Sequence, residues 1–270
     1  MNGEAMKTND DSDWRIEAGG DRCLIVELGT RVDPLINRRV HALAAQLLAA
    51  RIEGVVDVVP AFTTVAVHYR PERIRTSDSD TSPRTNPQLS PQLSPHARLE
   101  NTIAALLAGG IDAPAAQART VEVPVCYGGD FGPDLDEVAR ACSLGAERVI
   151  ELHGQSPHLV YMLGFAPGFP YMGGLDPRLA MPRRSTPRLS IAAGTVAIAR
   201  EQSAIYTLQT PGGWNLIGRT PLVFFRPDAD PPSLLRPGDS VRFVAVSRVR
   251  YDEIAERLRV QHRGARTDDQ

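Results

Sequence analysis

From His158 to Val246 the chain is a succession of short β-like runs. They are His158–Leu163, Leu189–Ile191, Val196–Ala199, Ala204–Leu208, Leu222–Phe225 and Ser240–Val246. Glycine and proline punctuate them at Pro167-Gly168, Gly173-Gly174, Pro211-Gly212-Gly213 and Pro237-Gly238. Strands this short, at this spacing, point to an antiparallel barrel or sandwich. Two helices precede them. Asp134 with Glu137 three residues on reads as a capping box opening a helix to about Cys142, and Gly145–Leu152 forms a second. Tyr251–Arg259 supplies a closing helix.

The first half has a different grammar. Arg22–Leu28 is a strand-like run closed by Gly29. Asp33-Pro34 is an N-cap with proline at the first helical position, and apolar residues then recur at helical spacing to about Ile52. Val55–Val59 and Thr64–Tyr69 make a hairpin, Leu99–Leu107 a helix, and Val121–Val125 a further strand. The order β-α-β-β-α-β is the split, ferredoxin-like pattern, so the fold class is α+β. The two halves divide into domains at 14–120 and 121–260, with flexible tails at 1–13 and 261–270. Within the first domain, residues 75–96 carry four prolines, five serines and a Pro-Gln-Leu-Ser tetrapeptide said twice, the composition of a disordered insertion.

Composition narrows the function. Of 270 residues, 30 are Lys or Arg and 32 Asp or Glu, giving a net charge of −2 and no global attraction for nucleic acid or an anionic membrane. No apolar run approaches the length of a membrane span, and Met1–Asp13 lacks the apolar core of a secretory signal. Three scattered cysteines fit a reducing, cytoplasmic setting. No paired-cysteine knuckle, HExxH, Walker loop or GxSxG elbow is present, so no metal site is expected.

Three stretches carry candidate chemistry. Leu163–Pro170 places Phe165 and Phe169 around Pro167-Gly168, which forms either an apolar ligand wall or a plug for the barrel. Arg178, Arg183, Arg184 and Arg188 follow, braced by Pro177, Pro182 and Pro187. They suit gripping carboxylate or phosphate, or a solvated face with an ion pair to an acid such as Asp176. The third stretch joins Gln202, Tyr206, Trp214, Asn215 and Arg219, with Trp214 able to stack on a flat ligand and Gln202 and Asn215 able to read an amide. His153 ends a helix, where its charge is favoured electrostatically; a proton-carrying role needs a pocket beside it.

Taken together, Tyr127–Leu135, Gly164–Leu175, Pro182–Arg188, Ala193–Ile198 and Pro211–Pro221 resemble the family of the 5-oxoprolinase B subunit. That family is also called allophanate hydrolase subunit 1 or carboxyltransferase-domain, and it includes a sporulation histidine-kinase inhibitor. The resemblance implies a ferredoxin-like N-terminal domain followed by a cyclophilin-like β-barrel. It implies a heteromer with a C subunit, a separate A subunit, and ATP as co-substrate in opening 5-oxoproline to glutamate. Paired domains of the same kind in urea carboxylase move a carboxyl group to urea, and a kinase-binding inhibitor is the non-enzymatic alternative. The implied pocket is Phe165, Pro167, Phe169, Arg188, Gln202, Tyr206, Trp214, Asn215 and Arg219, with His153 added as proton carrier. In catalysis Arg188 and Arg219 would hold charge, Gln202 and Asn215 would hydrogen-bond the amide, and Trp214 with Phe165 would exclude water. Where the family has Gln-Thr-Gly-Ile-Tyr-Pro this chain has Gln202-Ser203-Ala204-Ile205-Tyr206-Thr207. Ala204 would strain a positive φ, and Thr207 would loosen the strand end.

Overall fold

The structure is a computed structural model and describes residues 14–74, 93–111 and 119–267. The chain divides into two compact units, Met1–Ala116 and Gln117–Gln270. The expected tail 1–13 and most of the expected insertion lie outside the described residues. The insertion's last residues do not: Ser94 caps a helix that begins at Pro95, its hydroxyl accepting from the Ala97 amide at 3.2 Å.

The first unit holds β1 (Arg15–Ala18), β2 (Cys23–Glu27), α1 (Pro34–Ala50), β3 (Val55–Pro60), β4 (Thr64–Tyr69) and α2 (Pro95–Ala108). The strands form one antiparallel sheet in the order β1-β2-β4-β3. Asp33 caps α1 by accepting from the Leu35 amide at 2.7 Å, with Pro34 pre-set for the first turn. Leu24, Val26, Val65 and Val67 on alternate strand positions pack against Val40, Leu43, Leu47, Leu99 and Ile103 of the helices. The expected sixth element is not here. Val121–Val125 belongs to the second unit, and β1 escapes the sequence pattern because Arg15–Ala18 is too polar to read as a strand.

The second unit contains β5 (Thr120–Tyr127), α3 (Leu135–Ala141), α4 (Ala146–Gln155), β6 (His158–Leu163), β7 (Pro170–Gly173), β8 (Arg188–Ile191) and β9 (Thr195–Ala199). It continues with β10 (Gln202–Ile205), β11 (Thr210–Gly212), β12 (Asn215–Arg219), β13 (Ser240–Ala245) and α5 (Arg248–Thr267). The order β10-β7-β6-β13-β5-β12-β9 closes a barrel, while β8 and β11 pair as a separate two-stranded sheet. Closure depends on one parallel pair, Thr120–Val125 of β5 beside Ser240–Ala245 of β13, in an otherwise antiparallel ring. Leu222–Phe225 is not a strand beyond a single bridge from Phe225 to Ser233. Helix α5 takes in most of the expected C-terminal tail.

Alternation along the barrel strands creates two cores. Val196 and Ile198 of β9, Ile205 of β10 and Ile217 of β12 point inward to join Val123, Val160, Met172 and Phe243. Ala197, Ala199, Ala204 and Leu216 point outward and pack with Phe169, Ile191, Tyr206 and Trp214. Small outward residues leave room for large rings, and that second core carries the candidate site.

Candidate functional site

Phe169 is the hub of the outer core and is buried. Phe165 meets it at 5.3 Å between centroids, Tyr171 at 5.0 Å, Tyr206 at 5.3 Å and Trp214 at 6.4 Å, all edge to face. Tyr171 and Trp214 also meet, at 6.0 Å. Such geometry sets the positive edge of one ring against the negative face of the next. One ring breaks the burial pattern: Phe165 is 64% exposed, with the left-handed φ of 67° that non-glycine residues rarely adopt.

Backbone bonds fix the Phe165 loop. Gly164 donates to Phe169, Phe169 to Ala166 and Ala166 to Gly164, at 3.1, 3.0 and 2.8 Å. The Thr207 hydroxyl then donates to the Pro167 carbonyl at 2.7 Å. Thr207 therefore ties the loop down rather than loosening it. Ala204 likewise causes no strain: it lies in β10 without a positive φ, its methyl part of the outer core. Gly212 is required by close approach, since a Cβ there would collide with the Tyr206 hydroxyl.

The four clustered arginines divide sharply. Arg178 grips Asp176 at 2.9 and 2.7 Å, holding that carboxyl at about 2. Arg184 bonds Asp134 at 3.1 Å and Glu137 at 2.9 Å. Arg188 puts both terminal nitrogens on Asp134, at 2.9 and 2.7 Å. The buried Asp134 carboxylate also accepts the Leu216 amide at 2.7 Å. It makes no capping bond to α3, so the expected capping box is replaced by a lock that ties Arg184 and Arg188 to β12. Arg188 is thus paired with a carboxylate of this chain. Arg183 differs: its guanidinium stands over Trp214, 5.8 Å from the ring centroid.

Other expected site residues lie elsewhere. Gln202 shares the outward face of β10 with Ala204 and is half-buried, so it borders the aromatic wall. Asn215 is buried and donates to the carbonyls of Pro182 and Ile198 at 2.9 and 3.3 Å, a structural tie. His153 is fully buried on the inner side, its Nδ1 2.7 Å from the Tyr127 hydroxyl and its Nε2 3.1 Å from Ser203 Oγ. Burial, reinforced by neighbouring His158, pushes its pKa well below the ordinary 6.5; burial takes His158 to about 4. His153 therefore has no access to solvent, and its ring nitrogens face Tyr127 and Ser203 rather than the aromatic wall. Arg219 sits at the far end of β12, its guanidinium 4.8 Å from the Phe131 centroid with Arg248 at 4.2 Å from the same ring. A cavity of about 260 Å³ near there is lined by Gly194, Thr220, Leu222, Tyr251 and Leu258 and lies apart from the aromatic wall. Among the described residues no group of three His, Cys, Asp or Glu side chains could hold a metal ion, and no helix is long and apolar enough to cross a membrane.

Sequence reasoning does not foresee Asp134 as the lock, nor Tyr127 and Ser203 as the partners of His153. An aspartate before a helix signals a cap, and nothing local distinguishes one whose carboxylate turns away.

Residues 14–235 match the family model for the carboxyltransferase domain, subdomain C and D. The chain belongs to this family. A protein of Bacillus subtilis, named as the B subunit of 5-oxoprolinase, is 42% identical over 90% of this chain and 97% of its own length. One of the same name from Escherichia coli O157:H7 is 40% identical over 83% and 93%. The crystal structure of the Kluyveromyces lactis urea amidolyase superposes with a TM-score of 0.71 at 21% identity, covering 93% of this chain and 16% of that one, a likeness of fold. The two bacterial relatives match the resemblance read from Gly164–Leu175 and its companion motifs.

Proposed function

We propose that this family member is the B subunit of an ATP-dependent 5-oxoprolinase, working in the cytoplasm with the A and C subunits of the same enzyme. The first unit is then the ferredoxin-like domain and the second the cyclophilin-like barrel. The lactam of 5-oxoproline is a stable amide. Transfer of the ATP γ-phosphoryl group to the lactam oxygen would make the ring carbon electrophilic. One water then adds and the ring C–N bond breaks to leave an acyl phosphate, which a second water hydrolyses, giving glutamate, ADP and phosphate.

This chain's contribution is a wall. Phe165, Pro167, Phe169, Tyr206 and Trp214 exclude water from the substrate, and Gln202 hydrogen-bonds its amide. Asp134, Arg188 and Asn215 hold that wall in place, while His153 and Arg219 take no part in it. The observation that carries the reading is the exposed Phe165 ring at the rim of an aromatic cluster whose other rings are buried or half-buried, an apolar edge that a sister protein would complete.

The test is reconstitution. The chain mixed with the A and C subunits, ATP and 5-oxoproline should form glutamate, and Trp214→Ala should lower turnover at limiting 5-oxoproline by about tenfold or more. Glutamate formation without this chain, or unchanged turnover with Trp214→Ala, contradicts the reading. Urea with a carboxybiotin carrier is the control for the carboxyltransferase alternative.

A further inference from the structure

We propose that the cavity under α5 is a binding site for a small monocarboxylate with a short, unbranched apolar body, separate from the aromatic wall. The inference goes beyond the proposed function and rests on the second unit alone.

The cavity has a built shape. Along α5, Tyr251, Ala255 and Leu258 follow at the spacing of one helix face, and all three line it. Ala255 is the small member, so the helix carries a notch between two large side chains. Opposite the notch lie the ends of three barrel strands, with Gly194 before β9, Thr220 after β12 and Thr207 after β10. Gly194 has a φ of 81°, and a Cβ there would collide with the Thr220 carbonyl, so no side chain fills the gap from that side. Leu222 and Val223 complete the lining, and Val223 stays 47% exposed. The space is about 260 Å³, just under the roughly 300–1,000 Å³ of sites for drug-sized ligands. At ~30 Å³ for each water-sized volume, about eight non-hydrogen atoms fill it.

Its polarity is graded from one end to the other. The Thr207 hydroxyl is committed to the Pro167 carbonyl. The Thr220 hydroxyl accepts from the Leu222 amide at 3.3 Å and keeps its own proton to donate. Tyr251 packs on Phe131, 4.6 Å between centroids, and the Arg219 guanidinium lies 4.8 Å from the centroid of that same ring. Arg219 is half-buried, its Nε is sealed without a partner, and among the described residues no carboxylate pairs with it. Its stem borders the cavity wall, since Cγ would stand 3.5 Å from a Cβ on Gly194. Arg248 shares the Phe131 ring but is held by Asp252 at 3.2 Å. Both arginine charges reach the Tyr251 phenol and oppose the rise that burial imposes on it. At the other end Arg259 joins the lining, and among the described residues no acidic side chain does.

Charge and shape choose the ligand. The hydroxyls of Tyr251 and Thr220, in the field of an unmatched guanidinium, suit one carboxylate. A phosphate would bring more charge than that cation offsets. Leu222, Val223, Ala255 and Leu258 suit an apolar chain, and an amide or hydroxyl laid along them would lose its hydrogen bonds to water.

The experiment is calorimetric titration of the full chain with hexanoate, 1-hexanol (a body of the same length without the charge) and acetate (the charge without the body). Hexanoate should saturate a single site, with 1-hexanol and acetate at least about tenfold weaker. Ala255→Leu fills the notch and should abolish hexanoate binding, while the urea midpoint stays level or rises. Arg219→Gln should remove most of the advantage of hexanoate over 1-hexanol, and Tyr251→Phe should weaken hexanoate by about threefold or more. In NMR spectra hexanoate should shift the Val223 and Leu258 methyl resonances and leave the Trp214 indole where it was. No saturation by hexanoate, equal binding of 1-hexanol, equal hexanoate binding by Arg219→Gln, binding retained in folded Ala255→Leu, or shifts at Trp214 instead would each overturn the proposal. If Ala255→Leu does not fold, Arg219→Gln and the resonance shifts decide. None of these readouts uses 5-oxoproline turnover, so this inference and the proposed function can fail separately.

Discussion

Strand β10 has two faces and they hold opposite kinds of chemistry. On the inner face Ser203 meets His153, which meets Tyr127, in a buried chain of polar groups. On the outer face Gln202 and Ala204 border a cluster of rings with a cation above it and an exposed phenylalanine at its rim. Serine, histidine and tyrosine look more like an active site on paper. Yet the inner groups bond one another, with His153 and Ser203 sealed from solvent, whereas the outer wall keeps the Arg183 charge and the Phe165 ring exposed. Which side chains a fold leaves unsatisfied says more about binding than which are reactive in type.

The comparison breaks most readily at the lock that holds the outer wall. Asp134→Ala leaves Arg184 and Arg188 facing each other in partial burial and orphans the Leu216 amide. Loss of about 3–5 kcal/mol is expected in urea unfolding of the barrel. A loss below about 1 kcal/mol would mean that the arginines are held by something else.

The inner face comes next. His153→Leu removes the partners of Tyr127 and Ser203 and should cost about 2–3 kcal/mol. The 5-oxoproline KM of the folded protein should stay unchanged, and a raised KM would restore His153 to the site.

Acid probes the same face. Both folded histidines titrate below the ordinary 6.5, His158 at about 4. Between those values the unfolded chain binds protons that the folded chain refuses, so stability falls as pH falls. Each histidine contributes a slope of about 1.4 kcal/mol per pH unit from about 6.5 downward, and the His158 part levels off near 4. Urea midpoints at pH 7 and pH 5 measure this, and His158→Phe should flatten the curve.

Two smaller effects sharpen the outer face. Thr207→Val removes the bond to the Pro167 carbonyl and should cost about 1 kcal/mol. Because that bond fixes the Phe165 loop, the substitution should also weaken ligand binding modestly. Arg219→Ala removes one cation from Phe131, costs about 0.5–1 kcal/mol, and should leave the 5-oxoproline KM where it was.

These contrasts mark how far the sequence can be read. The barrel is legible because its strands are short and punctuated by turns such as Pro167-Gly168, Gly173-Gly174 and Pro237-Gly238. The ring cluster is legible as a set of aromatics near Gly212 and Pro167. Val121–Val125 falls to the wrong sheet because a strand's sequence does not name its partner, and here the partner is β13, more than a hundred residues on. Asp134 reads as a cap because local spacing cannot show that a carboxylate turns toward Arg188, 54 residues away. The four arginines look equivalent for the same reason: only the fold distributes Asp134, Asp176 and Glu137 among them.

The central claim is that substrate binding belongs to the outer wall and not to the polar interior. It is tested most directly by the 5-oxoproline KM of complexes assembled with Trp214→Leu and, in parallel, with His153→Leu, each at equal folded concentration. The account predicts a rise of about tenfold or more for Trp214→Leu and no change for His153→Leu. The opposite pattern, with Trp214→Leu normal and His153→Leu impaired, would place the site inside the barrel and contradict it.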